Sequence, residues 1–169
     1  MSIFVFAVPT FTPTAVADAA NYTDAGYFGL MGGGTTQRIK IKELFLGGLA
    51  TSSAPTIMLL ARDSTVQATP TALATPNSSA PVDAAAAAYA AVPVAFVAST
   101  TKPQRSNSTT VSKLGVFNFN AFGGLIRKEY APGEEPTLIG NTASLGEISV
   151  SAFTGTVGIM GGHLVFEPM

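Results

Sequence analysis

Hydrophobic side chains recur at every second position along several short runs of this chain, and glycine, proline and small polar residues separate the runs. The clearest run is 114–127 (LGVFNFNAFGGLIR), where Phe117, Phe119 and Ala121 alternate with Asn118, Asn120 and Phe122 ahead of Gly123 and Gly124. A period of two places one set on a packed face, and paired glycines mark a kink or bulge at the strand end. Across residues 37–46, Arg38, Lys40 and Lys42 alternate with Ile39, Ile41 and Glu43 before Leu44, Phe45 and Leu46 break the parity. That break predicts a strand with a bulge near Glu43 that passes from one-sided to two-sided burial. Beyond Gly47 and Gly48, residues 55–61 (PTIMLLA) predict a fully buried strand beside the first.

Between residues 63 and 91 threonine, proline, serine and alanine dominate, with Pro70, Pro76 and Pro81 spacing the run, which predicts a long loop insertion. Inside it Asp83 precedes a string of alanines that runs toward Pro93, so an N-capped helix of about two turns is expected over residues 83–91. Residues 94–98 predict a strand, and 102–110 an exposed polar connection. The last forty residues predict short strands at 125–130, 137–140, 147–153, 155–160 and 163–167, with a turn at 132–136. Strands every ~8 to 12 residues with Gly and Pro between them are the pattern of a sandwich or barrel, and about eight strands suit a jelly roll. No repeat of fixed period is apparent. The expected fold is all-β: a jelly-roll-like β-sandwich over residues 37–169, preceded by an extended arm over residues 1–36 that is rich in Thr, Ala, Pro and Gly.

At 169 residues the chain suffices for one well-buried domain. Only 11% of residues are charged against 47% hydrophobic, which makes self-association the default expectation and a symmetric homotrimer the favoured form. A net charge of −1 with scattered Lys and Arg supplies no field for nucleic acid or anionic lipid. The absence of cysteine removes disulfides, thiolate metal sites and thiol catalysis together. Residues 3–8 are apolar but lack a basic flank and are too few for a secretory signal, so a mature, uncleaved arm is expected. No later apolar run approaches the ~20 residues of a membrane-spanning helix.

Candidate chemistry is sparse. His163 is the lone histidine, and without cysteine or a second histidine it cannot complete a zinc site; a structural role is expected. Gly32, Gly33 and Gly34 are followed by no lysine in phosphate-loop spacing and predict a flexible hinge. Glu134 and Glu135 stand in a proline-flanked turn and are expected to be solvated rather than an acid/base pair. Asn21, Asn77 and Asn107 begin glycosylation triplets that Ser/Thr-rich loops generate by chance, and none is expected to be modified. Phe4, Phe6 and Phe11 are the candidate contacts with a capsid protein or a neighbouring subunit, preferred over a membrane because no basic residue accompanies them. No catalytic residue, cofactor site or metal site is expected.

Taken in order, 39–48 (IKIKELFLGG), 59–65 (LLARDST), 117–124 (FNFNAFGG), 131–135 (APGEE) and 162–168 (GHLVFEP) resemble small virion structural proteins of tailed bacteriophages. The resemblance covers residues 37–168. It implies a jelly-roll-like sandwich subunit, often trimeric, that decorates or cements the phage head through the major capsid protein, or sits near the vertex or tail. Two other classes compete. A carbohydrate-binding or adhesin module shares the sandwich but displays Trp or Tyr for sugar stacking, and here there is no Trp and four Tyr. An enzyme requires a polar constellation that the sequence does not supply.

Overall fold

A computed structural model describes residues 2–13, 15–16, 27–62, 71–73, 79–86, 93–98, 113–141 and 146–169. The described residues are all-β and contain no helix. The strands are β1 (Phe4–Phe11), β2 (Ala15–Val16), β3 (Tyr27–Met31), β4 (Arg38–Gly48), β5 (Pro55–Arg62), β6 (Thr71–Ala72), β7 (Ala80–Pro81), β8 (Val94–Ala98), β9 (Lys113–Asn120), β10 (Leu125–Glu129), β11 (Thr137–Ile139), β12 (Glu147–Gly155) and β13 (Met160–Pro168). They form two sheets. The first has the order β10-β4-β13-β1-β7, with β11 also on β4; the second has the order β6-β8-β3-β12-β5-β9, with β2 also on β12. Every pairing is antiparallel except the two-residue match of β2 to β12.

Eight of the strands pair as one nested ribbon. β1 pairs with β13, β3 with β12, β4 with β10 and β5 with β9, so each pair lies inside the previous one in the sequence. β13 then joins β4, and β12 joins β5, which completes the two sheets. The sheets share one apolar core, built from Phe4, Phe6, Ile39, Ile41, Leu44, Leu46, Leu164 and Phe166 on the first and Phe28, Leu30, Met58, Leu60, Phe119 and Ile148 on the second. Leu59 and Ala61, of opposite parity on β5, form a separate small cluster with Phe153.

The break of parity in β4 is a bulge, as its pattern predicts. Val165 of β13 faces Glu43 and the next residue, Phe166, faces Ile41, so Lys42 is the extra residue. Ile39 and Ile41 before it, and Leu44 and Leu46 after it, all reach the same core. The strand therefore stays one-sided: the bulge absorbs the shift of parity instead of burying both faces. A second bulge lies in β3, where Ser149 faces Gly29 and Val150 faces Tyr27. The extra residue there is Phe28, held at φ 47. A left-handed backbone costs a non-glycine residue on the order of 1–3 kcal/mol. In return the Phe28 ring enters the core between Phe6, at a centroid distance of 4.9 Å, and Phe11, at 5.4 Å.

The expected arm over residues 1–36 is corrected by these placements. β1 lies inside the first sheet with β13 on one side and β7 on the other, and β3 lies inside the second between β8 and β12. Burial of three phenylalanines and the ladder to β13 outweigh the Thr-, Ala-, Pro- and Gly-rich composition that suggested an arm. The strand expected at 155–160 is instead the connection 156–159 between β12 and β13. Of the expected helix, residues 87–91 lie outside the described residues, as do 63–70 and 74–78 of the loop insertion. Residues 83–86 form a turn in which Asp83 Oδ1 accepts from Ala85 N at 2.9 Å and Asp83 O accepts from Ala86 N at 2.9 Å.

The alternation in β9 also holds. Phe119 and Ala121 are buried and Phe117 packs half-buried against the core, while Val116, Asn118 and Phe122 are exposed. Phe119→Ala is expected to cost about 3–5 kcal/mol and Phe117→Ala on the order of 1–2 kcal/mol, because only the first ring leaves a closed cavity. Denaturant melts of the two variants check this order; equal losses would mean that Phe117 is packed as deeply as Phe119.

Candidate functional site

The sequence candidates for contact residues are not on the surface. Phe4, Phe6 and Phe11 are core residues, and Phe4 stacks on Phe166 at a centroid distance of 6.1 Å. Their alternation, Phe4, Phe6 and Val8 inward, is the strand signal that the apolar neighbours Ile3, Val5 and Ala7 obscure. The three residues therefore have no face left for a partner.

Of the nine large apolar side chains exposed among the described residues, four stand on segments that meet at one end of the fold. Leu49 is 54% exposed, Phe122 58%, Leu125 64% and Ile159 47%. Backbone hydrogen bonds tie their segments together: Leu49 N to Ile159 O at 2.9 Å, Gly48 N to Gly124 O at 2.9 Å, and Ala50 N to Ala121 O at 2.9 Å. Gly158 allows this closeness, since a Cβ there would lie 2.7 Å from Ala50 Cβ and 3.0 Å from Ala121 Cβ. The Asn120 side chain braces the same end, with its Oδ1 accepting from Ala54 N at 2.9 Å and Phe122 N at 3.0 Å, and its Nδ2 donating to Ser53 Oγ at 3.0 Å. Asn120 of β9 thus commits its side-chain amide to hydrogen bonds. Beside Leu49 opens a depression of about 320 Å³, lined by Pro9, Phe45, Gly47, Leu49, Gly161 and His163 among others. The arrangement is a pre-formed, largely apolar surface with His163 at its margin.

Charge is concentrated around the β4 bulge. Lys42 Nζ reaches Glu135 Oε1 at 2.8 Å and Glu167 Oε2 at 2.8 Å. The turn that carries Glu135 is seated on the bulge itself, with Tyr130 N donating to Lys42 O at 3.0 Å and Ile41 N to Pro136 O at 2.9 Å. The hydrogen bond from Lys42, with backbone hydrogen bonds within the turn, holds the Glu135 carboxyl down at about 2, against an ordinary 4.5. The same bonds, to Glu135 first and Glu167 second, raise Lys42 above its ordinary value. Glu135 is thus ion-paired rather than solvated, which corrects the sequence expectation; Glu134 is exposed as expected. Nothing in the sequence pairs these residues, because Lys42 and Glu135 are 93 positions apart.

A second group follows on the same strand. Glu43 Oε1 accepts from Arg127 Nε at 3.0 Å and lies 3.4 Å from His163 Nε2, and Arg127 Nη2 reaches Glu129 Oε1 at 2.6 Å. Burial alone would raise the Glu43 carboxyl, but the hydrogen bond and charge of Arg127 outweigh it and hold the group below 4.5. His163 stacks on Phe45 with centroids 4.8 Å apart and planes at 6°. Among the described residues no group of three or more His, Cys, Asp or Glu is placed to hold a metal ion. Gly32, at the start of the expected hinge, is packed in place: its N donates to Gly146 O at 3.0 Å, and a Cβ there would run into the Gly140 carbonyl. Asn21, Asn77 and Asn107 lie outside the described residues. No helix among the described residues is long and apolar enough to cross a membrane.

Compared with known proteins, the chain matches no family model, no curated protein and no solved structure.

The depressed Glu135 carboxyl sets an acid limb. Its folded value lies below its unfolded one, so its contribution is complete above about pH 4.5 and fades as pH falls toward about 2. The melting temperature of the protein is expected to drop through that window. Lys42→Met is expected to lower it at neutral pH and to flatten the acid limb, because the bond that depresses Glu135 is gone. Melting curves from pH 7 to pH 2 decide, and an unchanged limb in Lys42→Met would assign it to other carboxyls.

Proposed function

We propose that this chain is a non-enzymatic virion structural subunit that self-associates and decorates or cements the head of a tailed bacteriophage, docking on the major capsid protein through its apolar end. The observation that carries the reading is the rigid, exposed cluster of Leu49, Phe122, Leu125 and Ile159. Large exposed apolar patches on otherwise closed folds mark interaction surfaces. Because backbone hydrogen bonds join the segments that carry these four side chains, little backbone freedom is left to lose on docking, so more of their burial appears as affinity. These residues replace Phe4, Phe6 and Phe11 as the contact element.

The nested pairing of β1 with β13, β3 with β12, β4 with β10 and β5 with β9 supports assigning the two sheets to a jelly-roll sandwich, with β6, β7, β8, β2 and β11 as additions. Capsid subunits and lectins both use that architecture, so it fits the reading without selecting it. The charged groups around Lys42 and Glu43 serve the fold and are ion-paired already, whereas the large side chains of the apolar end remain exposed. On a lattice, many weak copies of such a contact add through avidity.

Undecorated phage heads incubated with the protein are expected to take it up and to resist heating better. Phe122→Asp together with Leu125→Asp is expected to lower occupancy by at least about tenfold, since a charge at a desolvated contact costs several kcal/mol. Both side chains are exposed, so the melting temperature of the isolated protein should hold. Heads that bind neither form would remove the decoration reading; binding to a glycan array in its place would favour the carbohydrate-binding class.

A further inference from the structure

Among the described residues the main paths of the two sheets end in β6, β7, β9 and β10, while β2 and β11, off those paths, are two and three residues long. β6 and β7 are two residues long, and β7 contains Pro81; short, proline-bearing edges offer a partner strand little to pair with. β10 is longer but presents Arg127, Lys128 and Glu129, all exposed, and charges of this kind blunt an edge. β9 has neither defence. It runs for eight residues, contains no proline and no acidic residue, and carries Val116 at mid-strand with 63% of its surface exposed. β5 lies on one side of it and no described strand on the other. A bulge at Leu114, where Gly115 faces Leu60 and Lys113 faces Ala61, interrupts its N-terminal end; beyond it, among the described residues, the outer side offers a row of backbone N–H and C=O groups to another strand.

We infer that β9 pairs antiparallel with β9 of a second copy of this chain, across a two-fold axis that passes beside Val116 and makes the second sheet continuous through the contact. The second copy is the occupant that fits the strand best. Lys113 is the only charge on β9 and stands at its first position. Antiparallel pairing centred on Val116 sets the two Lys113 residues about six residues, or ~20 Å, apart, whereas parallel pairing would set like charges side by side. The two exposed valines face each other across the axis, with Cβ atoms ~5 Å apart, and each covers the other. The flanking Asn118 and Asn120 lie on the same face and bring polar groups to the rim. Self-pairing also matches two edges of equal length, with only Asn120 of each copy lying beyond the paired span. This contact is distinct from the apolar end, and copies joined by it can still dock on a capsid.

Because the protein has no cysteine, Val116→Cys introduces a single thiol whose cross-linking reports the contact directly. Mild oxidation, or a short bismaleimide, is expected to convert most of Val116→Cys to a covalent dimer, while Thr36→Cys on an exposed turn stays monomeric. Val116→Lys is expected to reduce the light-scattering mass at micromolar concentration to a smaller species, with the melting temperature of the fold retained. The inference is overturned by wild-type protein that scatters as a single chain, by Val116→Lys that keeps the wild-type mass, or by Thr36→Cys that cross-links as fast as Val116→Cys. Head binding measured on the same variants separates the two surfaces. Val116→Lys that has lost the smaller contact yet still occupies heads leaves the apolar-end reading intact, and the Phe122→Asp, Leu125→Asp protein should cross-link normally once Val116→Cys is added to it.

Discussion

One extra residue in β4 organises much of this molecule. A strand alternates its side chains with a period of two, so without Lys42 as a bulge either Ile39 and Ile41 or Leu44 and Leu46 would face away from the core. The bulge keeps all four inward. It also turns two consecutive residues, Lys42 and Glu43, toward the outside, and each becomes the centre of an ion-paired group. The free backbone groups around the bulge are taken up by the turn between β10 and β11, which brings Glu135 to Lys42. Packing, charge and turn placement at this edge are thus one constraint satisfied three ways.

Alternation in the sequence made β4 and β9 readable, including the bulge in β4, because their apolar and polar positions differ sharply, while β5 and β8 were legible as short apolar runs bounded by turn residues. β1 was hidden for the opposite reason: Ile3, Val5 and Ala7 are as apolar as Phe4, Phe6 and Val8, so neither face stands out, and Pro9 argues for a break. What makes it a strand is its ladder to β13, at the far end of the chain, and local pattern carries no trace of that partner. The Lys42, Glu135 and Glu167 group was illegible on the same ground. The candidate contacts failed with the arm, while Leu49, Phe122, Leu125 and Ile159 were beyond reach, since their convergence depends on three connections meeting at one end.

The distribution of charge follows from the same geometry. The outer face of β4, β10 and β13 gathers Lys42, Glu43, Arg127, Glu129, His163 and Glu167 into mutual pairs. Charges spent on one another do little to solubilise the rest of the surface, and a chain with only 11% charged residues has few to spare. The end formed by residues around Leu49 and Phe122, and the outer side of β9, are consequently left to apolar and uncharged groups.

The nesting of strands has a temporal side. β5 and β9, the innermost pair, can meet once the chain has emerged past residue 120, but β4 gains its second neighbour and β1 its first long one only when β13 is present. Until then the first sheet has no centre, and Phe4 and Phe6 have no closed core to enter. Contacts this distant in sequence make folding slow and keep sticky half-built sheets exposed meanwhile. A nascent chain of this design has to be shielded, by chaperone or by its own masked edges, until its final strand slides between two that were made long before it.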